Sequence, residues 1–181
     1  MKKILSVSSF ILLLLVGCQD TKNRTLDTSN LKKVEMDDVA AEPKKKILIT
    51  YEAPSVKAGL EALPFNMKLP EKLPFEATPF QPPTINDMSR DGKKLMVEFK
   101  AFSKNKDDQT TLMITTFSEE VEIDITNFEQ VRLKDGVVAG YSNNVLQFNK
   151  GGVSYVITYM NKNISDEQHK QEITDIANQM F

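Results

Sequence analysis

The chain has 181 residues, with 23 Lys and Arg against 25 Asp and Glu, which gives a formal net charge of −2 at pH 7. This mildly acidic balance argues against a nucleic-acid partner, which would require a basic surface. A single histidine and a single cysteine exclude the usual catalytic triads and most zinc sites, so we expect no catalytic residue, no metal and no cofactor.

The N-terminus has the pattern of an exported precursor. Two lysines precede an uncharged, mostly apolar run over residues 4–16, which matches a signal-peptide core and is shorter than the ~20 residues of a spanning helix. The run ends in Leu15-Val16-Gly17-Cys18, which resembles the lipobox of bacterial lipoprotein precursors. The resemblance implies that residues 1–17 are removed and that Cys18 carries a diacylglycerol. The alternative is an uncleaved N-terminal helix in which Cys18 is an ordinary buried thiol.

The lipobox implies a protein anchored to the cell membrane on its extracytoplasmic face. Without the two lysines of the signal peptide, the mature chain has 21 basic and 25 acidic residues and a net charge of −4. We interpret the polar residues 18–46 as a flexible tether, whose ~28 residues would reach about 30 Å as a random coil. The single domain predicted over residues 47–181 contains no cysteine, so it has to be stabilised by its hydrophobic core.

The first predicted elements are a strand over residues 47–51, which are β-branched and aromatic, and a short helix that ends near Leu63 and has Ser55 as its N-cap. Six of the eight prolines then fall within residues 64–83. Because proline is unfavourable in helix interiors and central strands, we predict an extended strap across one face of the domain.

The phenylalanines of this strap are a candidate binding surface. Phe65, Phe75 and Phe80 would form it if they line a groove, and the strap could then bind a partner in extended form. The interpretation we favour is that the Leu and Phe side chains of the strap attach it to the domain.

Residues 95–157 alternate between apolar and polar side chains and predict an antiparallel meander. Strands are predicted over residues 95–101, 112–116 and 121–125, and the last has the clearest alternation. Asp135-Gly136 and Gly151-Gly152 predict two hairpins, because glycine adopts the positive φ that tight turns require.

A helix is predicted at the C-terminal end of the sequence. Ser165 and Gln168 have the spacing of a capping box, and the apolar stripe that follows contains Ile173, Ile176, Ala177 and Met180. The predicted fold is therefore α+β, an antiparallel meander with the C-terminal helix packed on one face and a proline-rich strap.

The order of these elements also resembles a known family. The features that carry the resemblance are the initial helix followed by Pro64-Phe65, the pairs Leu69-Pro70 and Leu73-Pro74, the glycine-rich hairpin with Tyr155, and the final Ile164-Ser165-Asp166-Glu167 helix. They are similar to an uncharacterised domain family of Gram-positive envelope lipoproteins, which is distantly similar to periplasmic regulators of envelope stress. The resemblance covers about residues 46–181 and implies no activity and no functional residues.

Two groups of residues are candidates for chemical sites. We interpret His169, at the edge of the helix stripe, as a half-buried surface residue rather than a catalytic or proton-sensing one. Six acidic residues could offer oxygens to calcium; they are Asp107, Asp108, Glu119, Glu120, Glu122 and Asp124. Strand alternation places Glu120, Glu122 and Asp124 on a solvated face without a loop to surround the ion, so we interpret them as surface residues.

We therefore expect a lipid-anchored, non-enzymatic protein that contacts an unknown envelope protein or another envelope component, in sensing, regulation or maintenance of the cell envelope. The alternative is a carrier for an apolar small molecule or lipid, which would require a continuous apolar pocket beneath the strap.

Overall fold

The computed structural model describes residues 25–34, 48–105, 107–122 and 128–181. These residues form nine strands and two α-helices. The strands are β1 (Lys32–Val34), β2 (Ile49–Glu52), β3 (Thr84–Asp87), β4 (Leu95–Phe102), β5 (Thr111–Phe117), β6 (Glu129–Arg132), β7 (Val138–Ser142), β8 (Val145–Lys150) and β9 (Val153–Met160). The helices are α1 (Val56–Ala62) and α2 (Asp166–Asn178).

All the strands belong to one antiparallel sheet with the order β1-β2-β3-β4-β5-β9-β8-β7-β6. The sheet consists of two meanders that meet where β5 pairs with β9. Helix α2 follows β9 directly and packs against β8 and β9. The predicted α+β class, with an antiparallel sheet and a C-terminal helix on one face, is thereby confirmed.

The core lies on the face of the sheet that α2 covers. The strand register aligns Phe99, Ile114, Ile157 and Leu146 across four neighbouring strands, and all four side chains are fully buried. Burial of each such side chain stabilises the fold by about 1.5–3 kcal/mol relative to exposure. Helix α2 contributes its own buried residues, including Ile173, to the same core.

Both predicted helix starts are present. The Ser55 hydroxyl accepts a hydrogen bond from the Ala58 N–H, and the Ser165 hydroxyl accepts one from the Gln168 N–H. Only half of the predicted capping box forms, because the Gln168 side chain donates to the Glu172 carboxylate (2.8 Å).

The chain after β5 differs from the prediction. Residues 121 and 122 are not in a strand, and residues 123–125 of the predicted strand lie outside the described residues. The Val121 N–H donates to the Ser154 hydroxyl (2.7 Å), and the Asn149 side-chain amide donates to the Val121 carbonyl (3.2 Å). The chain leaves β5 at this point towards β6, which lies at the far edge of the sheet. Its backbone is therefore hydrogen-bonded to side chains of β9 and β8.

The N-terminal boundary of the domain also differs. Part of the predicted tether, residues 25–34, belongs to the folded domain, since Leu26 is only 7% exposed and β1 pairs with β2. The Leu26 N–H donates to the Gly92 carbonyl (2.9 Å) and the Asp27 N–H to the Ala62 carbonyl (2.9 Å).

Gly92 favours this contact. It has a φ of +74°, which residues with a side chain rarely adopt, and a Cβ added there would make a tight contact of 3.0 Å with the Leu26 nitrogen. The close approach lets Leu26 enter the core beside the β3–β4 loop. Only six residues then separate Thr25 from Cys18.

Candidate functional site

The strap (residues 64–83) continues along β4 beyond the end of β3. The Thr78 N–H donates to the Phe102 carbonyl and the Gln81 N–H to the Lys100 carbonyl, both at 2.8 Å. The Lys104 N–H donates to the Glu76 carbonyl (2.8 Å). The second half of the strap is therefore hydrogen-bonded to the sheet although its prolines cannot donate.

The first half of the strap is bonded to α2. Lys72 donates its backbone N–H to the Gln179 side-chain oxygen (2.8 Å), and the Gln179 side-chain NH₂ donates to the Lys72 carbonyl (2.8 Å). One side chain at the end of the helix thus satisfies both backbone groups of a strap residue. The strap is held from the helix on one side and from β4 on the other.

Tyr159 connects the strap, the sheet and the helix. Its fully buried ring stacks on Phe75 of the strap, with ring centroids 5.9 Å apart, and on His169 of α2, with centroids 4.9 Å apart. Its hydroxyl donates to Glu172 (2.7 Å) and accepts from the Asn161 side chain (3.0 Å). Burial, assisted by the hydrogen bond to Glu172 and its charge, raises the pKa of Tyr159 well above that of free tyrosine, so the phenol stays protonated.

His169 is buried, contrary to the half-buried surface position expected from the sequence. Only 3% of the residue is exposed. Its Nε2 lies 2.6 Å from the Tyr159 carbonyl oxygen, and because a carbonyl only accepts, Nε2 carries the proton. Nδ1 lies 3.1 Å from the Tyr141 hydroxyl oxygen, within hydrogen-bond distance. Both ring nitrogens are thereby used for contacts within the fold.

A groove of about 350 Å³ opens between the two halves of the strap. Its apolar lining includes Leu73, Phe75 and Phe80, and Glu71 and Lys104 add one charge of each sign. We call this the strap groove. Its volume is at the small end of the range for ligand clefts.

The structure divides the three phenylalanines predicted as a binding surface. Phe75 and Phe80 line the strap groove together. Phe65 is not part of that lining and packs, half-buried, against the hydrophobic core. The apolar side chains of the strap therefore pack on the domain and attach the strap to it, which agrees with the favoured interpretation of the sequence. Two of them, Phe75 and Phe80, also face the groove.

A second pocket, of about 240 Å³, lies at the end of α2. Met67, Tyr155, Met180 and Phe181 form its apolar part, with Lys68 and Lys150 beside them. The Lys150 ammonium donates to the Met180 carbonyl (3.1 Å) and lies 3.9 Å from the centre of the Phe181 ring. Burial, together with the charge of Lys68, lowers the pKa of Lys150. Sequence reasoning missed this pocket because its residues come from three distant segments with no local motif.

The acidic residues that could offer oxygens to calcium do not converge within the described part of the chain. Glu119 pairs with Lys94 (3.1 Å), Asp108 accepts from the Thr110 hydroxyl (2.6 Å), and Asp124 lies outside the described residues. Across the described ranges, no three His, Cys, Asp or Glu residues come together as metal ligands. No helix in these ranges has the length and apolar character needed to cross a membrane.

Comparisons of the chain with protein-family models, with curated proteins and with solved structures found no match. The resemblance to envelope lipoproteins, based on the lipobox and the order of elements, therefore stays a prediction.

The two groove phenylalanines should differ in their contribution to stability. We expect Phe75→Ala to lower the free energy of unfolding by about 2–4 kcal/mol, because it removes the ring that stacks on buried Tyr159. Phe80→Ala should cost less, about 1–2 kcal/mol, since Phe80 packs half-buried against the core but no other described ring stacks on it. Urea denaturation of both variants measures the difference, and equal losses would contradict the assignment of Phe75 as the structural member of the pair.

Proposed function

We propose that this protein is a lipid-anchored, extracytoplasmic domain of the cell membrane that acts without catalysis, by binding an envelope protein at the strap groove. The observation that carries the binding role is the groove itself, which Leu73, Phe75 and Phe80 line together with the charged residues Glu71 and Lys104. The anchor is supported by the lipobox pattern at Cys18.

The groove is suited to binding because its walls are fixed in advance. The backbone N–H groups of Thr78 and Gln81 donate to β4 and attach one wall of the groove to the sheet. The Gln179 side chain bonds Lys72, directly before Leu73 of the other wall, and so attaches that wall to the end of α2. Phe75 is held by its stack on Tyr159. A partner that binds a preformed surface loses less free energy to ordering of that surface.

The groups that could perform acid–base chemistry have structural partners instead. His169 uses both ring nitrogens for contacts inside the protein, and Glu172 accepts hydrogen bonds from Tyr159 and Gln168. Neither group faces the strap groove. These contacts favour a binding function over an enzymatic one.

A carrier for an apolar small molecule or lipid is the second candidate function. The pocket at the end of α2 favours it, since Met67, Tyr155, Met180 and Phe181 give it a largely apolar lining. The stacked rings of Phe75 and Tyr159 occupy space directly beneath the strap, so the pocket at the end of α2 is the better candidate for an apolar ligand. Lipid that copurifies with the protein in native mass spectrometry would favour this candidate.

In-cell photo-crosslinking tests the binding surface. A photoreactive phenylalanine analogue at Phe80 should form a crosslink to one predominant envelope protein, because its ring lines the groove. The matched control is the same analogue at Val138, an apolar residue of β7 that is 45% exposed. A groove-specific partner requires a band at Phe80 that is absent at Val138. The same bands at both positions, or none at Phe80, would contradict the proposal.

Replacement of the lipid-bearing residue tests the anchor. Cys18→Ala removes the thiol that would carry the diacylglycerol, so the protein should either accumulate as an unprocessed precursor or appear in the medium. Metabolic labelling with a fatty acid and fractionation of the cells measure both effects. Unchanged labelling and membrane retention in this variant would show that Cys18 is not the lipidation site.

A further inference from the structure

The connection between the proposed anchor and the domain is short. Six residues separate Cys18 from Thr25, the first residue that the structure describes. Seven peptide steps span about 24 Å when fully extended and about 15 Å as a flexible coil. Strand β4 alone, with eight residues, is about 26 Å long. The connection is therefore no longer than one strand, so the end of the sheet next to Thr25 has to stay near the bilayer if Cys18 carries a lipid.

The part of the domain beside this connection is the loop between β3 and β4, residues 88–94, which we call the anchor-side loop. The Leu26 N–H donates to the Gly92 carbonyl (2.9 Å), and a side chain at Gly92 would come within 3.2 Å of the Thr25 Cβ. The strap groove lies towards the other end of β4, where Thr78 is bonded to Phe102. The anchor-side loop and the groove therefore lie towards opposite ends of the sheet.

The anchor-side loop combines an exposed apolar residue with cations. Met88 is 54% exposed and is the most exposed large apolar side chain of the described residues. Arg90, Lys93 and Lys94 are exposed beside it. Asp91 lies 3.7 Å from Lys93 and Glu119 lies 3.1 Å from Lys94, whereas Arg90 has no ion-pair partner within the described ranges.

The loop has a fixed shape. Asp87, only 3% exposed, accepts hydrogen bonds from the backbone N–H groups of Arg90 and Gly92, both at 2.8 Å. The Met88 N–H donates to the Lys94 carbonyl (2.8 Å). The loop therefore presents Met88 to solvent in a defined position, and its exposure is not the result of a frayed chain end.

Met88 lies beside Arg90, which has no ion-pair partner in the described ranges, and beside two lysines whose ion pairs with Asp91 and Glu119 are exposed to solvent. Exposed ion pairs contribute little to stability, so both lysines can exchange these partners for lipid phosphates at an anionic bilayer. Apolar side chains of interfacial segments enter the boundary between headgroups and acyl chains, while Lys and Arg bind lipid phosphates. We propose that the anchor-side loop rests on the anionic membrane that holds the lipid of Cys18, with Met88 at the acyl boundary and Arg90, Lys93 and Lys94 at the phosphates. This proposal depends on the proposed lipid anchor, and it directs the strap groove away from the membrane.

Site-specific fluorescence quenching tests the contact in the full lipoprotein. Because lipidation occupies the only native cysteine, Met88→Cys and Lys162→Cys each add one free thiol for the same fluorophore. Lys162 is exposed and follows β9 at the opposite end of the sheet. In phosphatidylglycerol-containing vesicles with a headgroup-attached quencher, we expect several-fold stronger quenching at position 88 than at 162.

Two further arms separate the possible outcomes. Pure phosphatidylcholine vesicles, or the changes Arg90→Asn, Lys93→Gln and Lys94→Gln together, should remove most of the extra quenching at position 88. Equal quenching at positions 88 and 162, in protein that floats with the vesicles, would overturn the loop contact and leave the anchor intact. Protein that does not float with the vesicles would overturn both the anchor and the loop contact.

Discussion

The domain depends on how the ring of Tyr159 is packed. The sheet contributes this ring, the strap contributes Phe75, and α2 contributes His169. Aromatic pairs of this kind stabilise a fold by about 0.5–1.5 kcal/mol beyond the area that they bury. The domain has no cysteine and therefore no disulfide, so such contacts have to keep the strap and the helix on one face of the sheet.

The strap groove, the proposed binding surface, follows from this packing. Phe75 stacks on Tyr159 with one part of its ring and lines the strap groove with another. The hydrogen bonds of Gln179 and Thr78 then hold the strap on either side. The groove is therefore a consequence of how the sheet is covered.

The architecture also places the two proposed contact sites towards opposite ends of the sheet. At one end, Leu26 fixes the N-terminal segment beside the anchor-side loop, with seven residues between Leu26 and the proposed lipid at Cys18. Towards the other end, the strap groove lies beside Lys104. A domain held in this way would rest on the membrane with one end and offer the groove to other envelope proteins with the other.

The sequence predicts those elements whose signals are local. Ser165 begins α2 as its spacing indicates, and the glycines at 136 and 151–152 have the positive φ expected of the two hairpins. Residues 63–65 and 73–75 have the same sequence, Leu-Pro-Phe, yet only the phenylalanine of the second tripeptide lines the strap groove. The local sequence therefore does not predict which of the two reaches the groove. The position of Phe75 depends on Tyr159, which lies 84 residues further along the chain.

Other features depend on distant partners in the same way. His169 is buried because Tyr141 and the Tyr159 carbonyl satisfy its two nitrogens, and neither partner is evident from the helix pattern. Residues 25–34 contribute one buried leucine and a three-residue strand, which is too little apolar periodicity to distinguish them from a tether. The alternation around Val121 is typical of a strand, yet side chains of β8 and β9 bond its backbone.

Amide-resolved hydrogen exchange tests most directly whether the domain begins at Thr25, close to the proposed anchor. The Leu26 and Asp27 N–H groups donate to carbonyls of the β3–β4 loop and of α1. We expect both amides to exchange more slowly than in an unfolded chain, because their hydrogen bonds to the folded domain have to open before they exchange. If both amides exchange at the rate of an unfolded chain while β4 and β9 stay protected, residues 25–34 belong to a long tether. This result would contradict the proposed position of the domain at the membrane.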